Sequence, residues 1–286
     1  AAVFCLTACL ASAAEDAGGP SSLLTFAAPR GEVIFAHHWQ PGDLPPSHEF
    51  QGRGVFGDSL AAGKFLLSPD ADGRYRIVED PESGQWVLDI LVTRAEALAR
   101  RSHHTEIEIH SPDHLIEGRF FRPGQRYLLE WWRKEIAFEP DGHWEIWAQN
   151  HSMYDSPLER SRNPSLALIV GRDRFVTLFV RADSHPISFK DRGGNWSYTR
   201  RDAYTVGPSI SDRWEFWQME VLFDHRAGAL KLWRNGELLH AEAGKPVGYN
   251  DRRGPPWSIG IYKYFDDVAT DRRQALIGPI RVQLLE

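Results

Sequence analysis

Hydrophobic and polar residues alternate along much of this chain with a period of two. The cleanest stretch is His104-Thr105-Glu106-Ile107-Glu108-Ile109-His110. Side chains of a strand point to opposite faces in turn. His104, Glu106, Glu108 and His110 therefore share one face, and Thr105, Ile107 and Ile109 share the other. This pattern predicts a half-buried antiparallel strand. Residues 86–92 form a mostly apolar run bounded by Pro81 and Gly84, which predicts a buried strand. Further strands are predicted at 33–36, 127–134, 144–150, 166–170, 174–181, 214–223, 229–234, 257–264 and 275–285. Turn residues separate them at Pro140-Asp141-Gly142, Gly193-Gly194-Asn195 and Asn235-Gly236. Asn-Gly supplies the positive φ angles of a two-residue hairpin turn, here between Leu230–Arg234 and Glu237–His240. The good helix formers of 94–101 predict only a turn or two within a loop. With no internal repeat and no long helix, the class is all-β, a sandwich of two antiparallel sheets.

The segment Trp144-Glu145-Ile146-Trp147-Ala148-Gln149-Asn150-His151 reads as a strand with a polar exit. Strict alternation puts Glu145, Trp147, Gln149 and His151 on one face and turns Trp144, Ile146 and Ala148 into the core. Gln hydrogen-bonds a carboxylate without a charge of its own, and His moves a proton near neutral pH. Together they suit a sugar-acid site. The plain alternative is a solvated strand end. His37 and His38 are adjacent, point to opposite faces, and read as surface or loop residues.

Composition narrows the partners. The chain has 286 residues with 11 Trp and 15 Phe, enough for a large core and rich in rings that pack on pyranose faces. A net charge of −6 argues against nucleic acid and leaves an acidic polysaccharide open, because only local charge matters in a cleft. Residues 1–19 read as a targeting segment, an apolar run followed by Ala11-Ser12-Ala13-Ala14. Two processing routes are open: cleavage near Ala13 or Ala14, or lipidation at Cys9 in a lipoprotein-like Leu6-Thr7-Ala8-Cys9 box. Either predicts a secreted or periplasmic bacterial protein. Both cysteines lie in this segment, so residues 20–286, read as a single domain, carry no disulfide or thiolate chemistry. No later segment is apolar enough to span a membrane. The expected state is a monomer.

Three separated segments carry a resemblance: Thr105-Glu106-Ile107, Gln149-Asn150-His151 and Gly260-Ile261-Tyr262-Lys263. Between the last two lies the hairpin 224–237, with its Asp224, Gly228, Leu230, Leu232, Trp233, Asn235 and Gly236. Together they resemble the jelly-roll polysaccharide lyases, meaning the alginate lyases with R-T/S-E-L-R, Q-I-H and Y-F-K-A-G-V-Y motifs and their glucuronan and heparin lyase I relatives. The hairpin and the G-I-Y-K strand look closest to the latter branch. The resemblance implies a concanavalin A-like β-jelly roll whose concave sheet holds a uronate polymer, glucuronan-like or related, and cleaves it by β-elimination. It implies that Gln149 neutralises the substrate carboxylate and that His151 is a base or a second neutralising donor. It implies that Tyr262 protonates the leaving oxygen and, in some members, takes the C5 proton. Substrate contacts are expected from His104, Glu106, Arg101, Trp147, Arg160, Arg162, Lys263 and Tyr264.

The chain departs from the alginate pattern at four positions. His104 precedes the Thr-Glu pair where an Arg stands in the motif, and Glu108 replaces the second Arg. Ser258 stands at the Lys position and Pro256 at the first Tyr. Arg101, His104 or an Arg of the 160–162 loop is then the cation that meets the carboxylate. The residues themselves fit the chemistry. Removing H5 builds charge on the carboxylate, so donors must strengthen as that charge grows. A base must reach C5 and an acid O4. With a pKa near 10, a Tyr needs a nearby positive charge to act as base.

Other chemistries compete less well. His103, His104, Glu106, Glu108 and His110 lack the spacing of a metal site, and the strand alternation already accounts for them. No cofactor is expected, although Asp266, Asp267 and Asp271 are candidates for a structural calcium ion. A retaining glycosidase needs carboxylates about 5–5.5 Å apart, which Glu106 and Glu108 meet loosely. A carbohydrate-binding module, lectin-like or laminin-G-like, shares the fold but gives no reason for Gln149, His151 and Tyr262 to converge.

Overall fold

The predicted alternation is carried by strands in a computed structural model that describes residues 24–44, 65–67, 74–95, 104–111, 113–137, 143–152, 156–159, 162–263 and 272–286. In chain order these are β1 (Glu32–His37), β2 (Phe65–Leu67), β3 (Tyr75–Glu79), β4 (Trp86–Thr93) and β5 (His104–Ile109). Then come β6 (Arg126–Ile136), β7 (Glu145–Asn150), β8 (Leu166–Val170), β9 (Phe175–Asp183) and β10 (Arg200–Pro208). The last five are β11 (Glu215–Leu222), β12 (Asp224–Arg234), β13 (Glu237–Tyr249), β14 (Ser258–Lys263) and β15 (Arg272–Leu285). Among the described residues only Arg94 and Ala95 are helical. The expectations for residues 1–19, Cys9, Arg101, His103, Pro140-Asp141-Gly142, Arg160, Tyr264, Asp266, Asp267 and Asp271 lie outside the described residues.

The strands form two sheets. One runs β13-β12-β11-β6-β15-β4-β3, with β1 also paired to β15. The other runs β2-β5-β14-β7-β8-β9-β10. Pairing within each is antiparallel. A short parallel contact of β13 with β9, Gly248 opposite Ala182 and Tyr249 opposite Asp183, joins the sheets at one edge. The result is an all-β sandwich of jelly-roll type. Its core is pinned by indoles from both layers. Trp131 of β6 lies 6.3 Å from Trp217 of β11 and 5.4 Å from Trp257, which precedes β14. Trp147 of β7 meets Trp217 edge-on at 6.3 Å. All four are fully buried, and large rings in such arrangements dominate core energetics.

Several elements differ from expectation. β10 was not predicted, because this edge strand, RRDAYTVGP, carries mostly polar or small residues and only Val206 joins the core. β13 runs on to Tyr249 through Gly244 and Pro246, residues that an edge strand tolerates at its bulges. The Asn235-Gly236 hairpin forms with both φ angles positive, 53° and 83°. His37 is not a surface residue. It ends β1 and is buried, 3.0 Å from the Asp43 carboxylate and edge-on to Trp39 at 4.6 Å.

Two irregularities matter most for the site. Opposite β8, Ile146 pairs with Ile169 and Ala148 with Leu168, so Trp147 is an extra residue. Opposite β7, Ile259 of β14 pairs with Ala148 and Tyr262 with Ile146, so β14 also carries an extra residue. A bulge of this kind switches which face the following side chains occupy. Strict alternation therefore fails across Trp147. Trp144 and Ile146 face the cavity described below rather than the core, while Glu145 and Trp147 turn inward. Ala148 lies in the core as expected. Gly260 sits in the β14 irregularity with φ +148°. A Cβ there would lie 2.3 Å from the Thr105 carbonyl oxygen and 2.8 Å from the Glu106 Cα.

Gly260→Ala therefore forces apart β5 and β14, and its backbone is strained whatever space is made. We expect a loss of about 1–3 kcal/mol, read as a lower urea midpoint. An unchanged midpoint would show that the two strands separate freely there.

Candidate active site

The strand β7, the end of β14 and the neighbouring β8 and β9 enclose a cavity of about 650 Å³ on the second sheet. Gln149, His151 and Tyr262 all line it, together with Trp144, Thr177, Arg181 and Lys190. The bulge makes this possible. Beyond Trp147, Gln149 and His151 return to the face that Trp144 and Ile146 occupy before it. In β14, Ile259 and Ile261 are buried in the core and Tyr262 points out. Trp144, 38% exposed, lies parallel to the Tyr262 ring at 5.7 Å. It walls one end of the cavity with an aromatic face, the kind of surface on which a sugar ring packs.

Gln149 is held in place. Its Nε2 donates to Glu106 Oε1 at 2.7 Å. Glu106 stands opposite Gly260 in the β5–β14 ladder. Burial raises the Glu106 carboxyl to about 7. The Gln149 hydrogen bond opposes this and the Glu108 charge adds to it. The other two groups are tuned in opposite senses. Burial lowers the pKa of His151; a backbone hydrogen bond at Ser152 opposes this, the Arg162 charge adds to it, and the Glu108 charge opposes it least. Its imidazole is therefore neutral at neutral pH, with a lone pair to take a proton. Burial raises the pKa of Tyr262, and the Glu106 charge raises it further. The Tyr262 phenol thus holds its proton and is placed to give it.

Other expected contacts are redistributed. Trp147 is 1% exposed in the core, where its Nε1 donates to Glu145 Oε1 at 2.9 Å, so it does not reach substrate. Lys263 follows Tyr262 and points to the opposite face, where it is 0% exposed; it too is removed from substrate contact. Arg162 lines the cavity, but its charge is already matched. It donates to Asp251 Oδ2 at 2.6 Å and to Glu159 Oε1 at 2.9 Å and lies over the Tyr249 ring. His104 pairs with Tyr262 along the β5–β14 ladder. Residues the alternation did not single out complete the walls: Trp144, Thr177, Arg181, Lys190 and Trp196. Arg181 is in phase with Thr177 and Phe179 on β9, so the period of two was the available signal.

A larger hollow of about 960 Å³ lies on the other sheet. Its cations Arg30, Arg126 and Lys231 all converge on Glu220, at 2.8, 2.8 and 3.2 Å. One carboxylate is shared among three cations there, and among the described residues no His or Tyr lines the hollow. Among the described residues, no group of three His, Cys, Asp or Glu is placed to hold a metal ion. None of their helices is long and apolar enough to cross a membrane.

Glu106 supplies a signature in stability. Its carboxyl binds a proton more tightly folded than unfolded, so between about 4.5 and about 7 the native state holds more protons. Stability from this group is present at low pH and is lost as pH rises through that window. Glu106→Gln should remove this part of the slope. The check is urea unfolding of both proteins from pH 4 to 8. Parallel curves would mean that Glu106 does not titrate in this window.

Comparison with known proteins places this geometry. A family model described as polysaccharide lyase matches residues 40–281. Comparison with curated proteins gives no match. Among solved structures, an endo-β-1,4-glucuronan lyase from the fungus Trichoderma reesei superposes with a TM-score of 0.61 at 11% identity, covering 78% of this chain and 92% of that one. That likeness is one of fold. An alginate lyase from Chlorella virus aligns with a TM-score of 0.49 at 8% identity, over 74% of this chain and 89% of that one. The family match spans most of the chain: the protein belongs to this polysaccharide lyase family.

Proposed function

We propose that the protein cleaves a uronate-containing polysaccharide by β-elimination, with His151 as base, Tyr262 as acid and Gln149 as the donor that meets the substrate carboxylate. The observation that carries this reading is the convergence of these three side chains on one cavity, with His151 tuned toward its neutral form and Tyr262 toward its protonated form. His151 removes H5, and the electrons of that C–H bond form the C4–C5 double bond. The C4–O4 bond breaks and O4 takes the Tyr262 proton. The proton on His151 then returns to Tyr262 through solvent. Charge grows on the carboxylate as H5 leaves, and Gln149 donates more strongly at that moment.

The surroundings of Tyr262 support the acid role of the two open to it. A phenol acting as base needs a cation to lower its pKa, whereas here burial and Glu106 raise it. Separate acid and base also serve uronates with H5 and O4 on either the same or opposite sides of the ring. The chain departs from the alginate motifs at His104, Glu108, Pro256 and Ser258. A glucuronan-like chain is therefore the first substrate to try. Such a polymer is met outside the cell, which fits a secreted or periplasmic enzyme.

The test is the ultraviolet absorbance of the unsaturated uronate product, measured on glucuronan, alginate, heparin and hyaluronan. Tyr262→Phe keeps the ring and its packing on Trp144 and should abolish product formation. His151→Ala should do the same if it is the sole base. Gln149→Ala should lower kcat by about 10²–10³, as loss of one donor to a developing oxyanion does, with a smaller change in KM. A Tyr262→Phe protein that forms product at the wild-type rate would overturn the assignment.

A further inference from the structure

Arg181 is a buried cation with no anion among the described residues. It is 6% exposed and lines the cavity from β9. Nη1 donates to the Pro164 carbonyl at 2.8 Å, the guanidinium lies 5.1 Å over the Phe179 ring, and Nε has no hydrogen-bond partner. Among the described residues no carboxylate lies within ion-pair distance. The charged or ionisable groups that bear on it are Tyr249, Tyr198 and Arg201. Three other buried arginines of this protein are matched. Arg162 has Asp251, Arg200 has Glu242 at 2.6 Å, and Arg273 has Glu145 at 3.1 Å. A desolvated, unmatched charge is costly. The arrangement becomes favourable when an anion enters, and a guanidinium fork matches a carboxylate in two hydrogen bonds.

A second cation stands nearby on the hairpin between β9 and β10. Lys190 bridges to Trp196 across the turn at Gly193-Gly194, and its Nζ lies 4.8 Å over the Trp196 ring. Trp196 in turn stacks on Tyr198 at 5.5 Å with the rings 3° from parallel. The hairpin is anchored to Asp183, which accepts from Ser197 Oγ at 2.6 Å and from the His185 backbone at 3.0 Å. Lys190 likewise has no carboxylate partner among the described residues. Both cations and the indole line the same cavity as His151 and Tyr262.

Their position relative to the reacting centre follows from the ladder. Gln149 stands opposite Ala167 of β8, which stands opposite Phe179 of β9. Arg181 thus lies two strands from the Gln149–His151 column, about 10 Å at ~4.8 Å per strand. That separation suits the next sugar of a bound chain better than the one losing H5.

We propose that Arg181 and Lys190, with Trp196 as an apolar wall, form a second carboxylate subsite for the uronate adjacent to the one being cleaved. The inference rests on the uronan-lyase reading and sharpens it: the preferred polymer carries carboxylates on neighbouring residues, rather than on every second one.

The experiment is calorimetric titration of the Tyr262→Phe protein, alone and with Arg181→Met or Lys190→Ala added. The probes are a saturated oligoglucuronate and a hyaluronan oligosaccharide of equal length, in which uronate alternates with an amino sugar. Arg181→Met should weaken oligoglucuronate binding by about 10–100-fold, the range for a lost charged hydrogen bond, and Lys190→Ala by less. The hyaluronan probe should lose far less. The unliganded Arg181→Met protein should unfold at the same or a higher temperature, because an unmatched buried charge has been replaced by an apolar chain. Unchanged oligoglucuronate affinity, no binding of it at all, or an equal loss for both probes would overturn the subsite. So would a lower unfolding temperature with intact affinity, the mark of a purely structural Arg181. The two readings fail separately. If the wild-type protein forms no unsaturated product from any uronan yet binds oligoglucuronate through Arg181, the elimination reading falls and the subsite stands. If Tyr262→Phe abolishes product while Arg181→Met changes neither binding nor turnover, the subsite falls and the elimination reading stands.

Discussion

The guanidinium of Arg133 crosses the gap between the two sheets. It rises from β6, and its Nη1 donates to the Gly260 carbonyl of β14 at 2.8 Å. That carbonyl is free to receive it because β14 is irregular at this point. The same guanidinium lies 4.8 Å over the Trp147 ring and pairs with Glu135, with Glu145 at 3.7 Å. Arg273 of β15 reaches the other oxygen of Glu145 at 3.1 Å. A charged cluster inside a sandwich is expensive to desolvate, and breaking one member leaves the others exposed to that cost. Here its geometry is tied to the two places where β7 and β14 carry an extra residue. Trp147 turns in to meet Arg133, and therefore Gln149 and His151 turn out. Gly260 offers its carbonyl inward, and Tyr262 beyond it faces the cavity. The catalytic face of the sheet is in this sense set by the polar interior behind it.

The cavity itself divides into two electrostatic regions. Around Tyr262 and His151 the groups tend toward their uncharged forms: a phenol, a neutral imidazole, an amide, and a Glu106 carboxyl whose pKa is raised to about 7. At the β9 side and its hairpin stand the cations Arg181 and Lys190. This separation has a chemical logic. A fixed cation beside His151 would lower its basicity further, and Arg162, whose charge does act in that sense, is matched by Glu159 and Asp251. Charge needed to hold a polyanion is instead supplied away from the proton transfers. Binding and bond-breaking then draw on different side chains, so the grip on the polymer does not come at the expense of the base.

The period of two made much of this legible. It placed the core face of β5, the inward Ile259 and Ile261 of β14, and the outward Gln149, His151 and Tyr262. It failed where one residue is inserted, because a bulge leaves no mark in hydrophobicity: Trp147 is apolar and suits either face. The error moved Trp144, Ile146 and Trp147 to the wrong sides together, whereas the inward Lys263 follows the regular alternation of Ile259, Ile261 and Tyr262. Strand β10 was illegible for another reason, since an edge strand with few core residues reads like loop. Arg181 could be placed on a face but not valued. What marks it among the cations of the cavity is burial with no carboxylate beside it among the described residues, and that is a property of the packed chain alone.

The pairing of Gln149 with Glu106 explains why an uncharged residue sits at this point of the site. An Arg in place of Gln149 would form an ion pair with Glu106, and its charge would be spent before substrate arrived. An amide keeps both functions. One N–H of Nε2 is used on Glu106 at 2.7 Å, which fixes the plane and the direction of the side chain. The second N–H is left to address a carboxylate in the cavity. The direction of the amide depends on Glu106 accepting that bond. An ionised carboxylate can only accept, whereas a protonated one can also donate to the amide oxygen and allow the side chain to turn over. With its pKa raised to about 7 by burial, Glu106 stands near the point where both states are populated. The residue that orients the substrate donor is thus itself oriented by a titratable group. Ordered presentation of Gln149 belongs to the ionised form, the same form that raises the pKa of Tyr262 and keeps its proton available for the leaving oxygen.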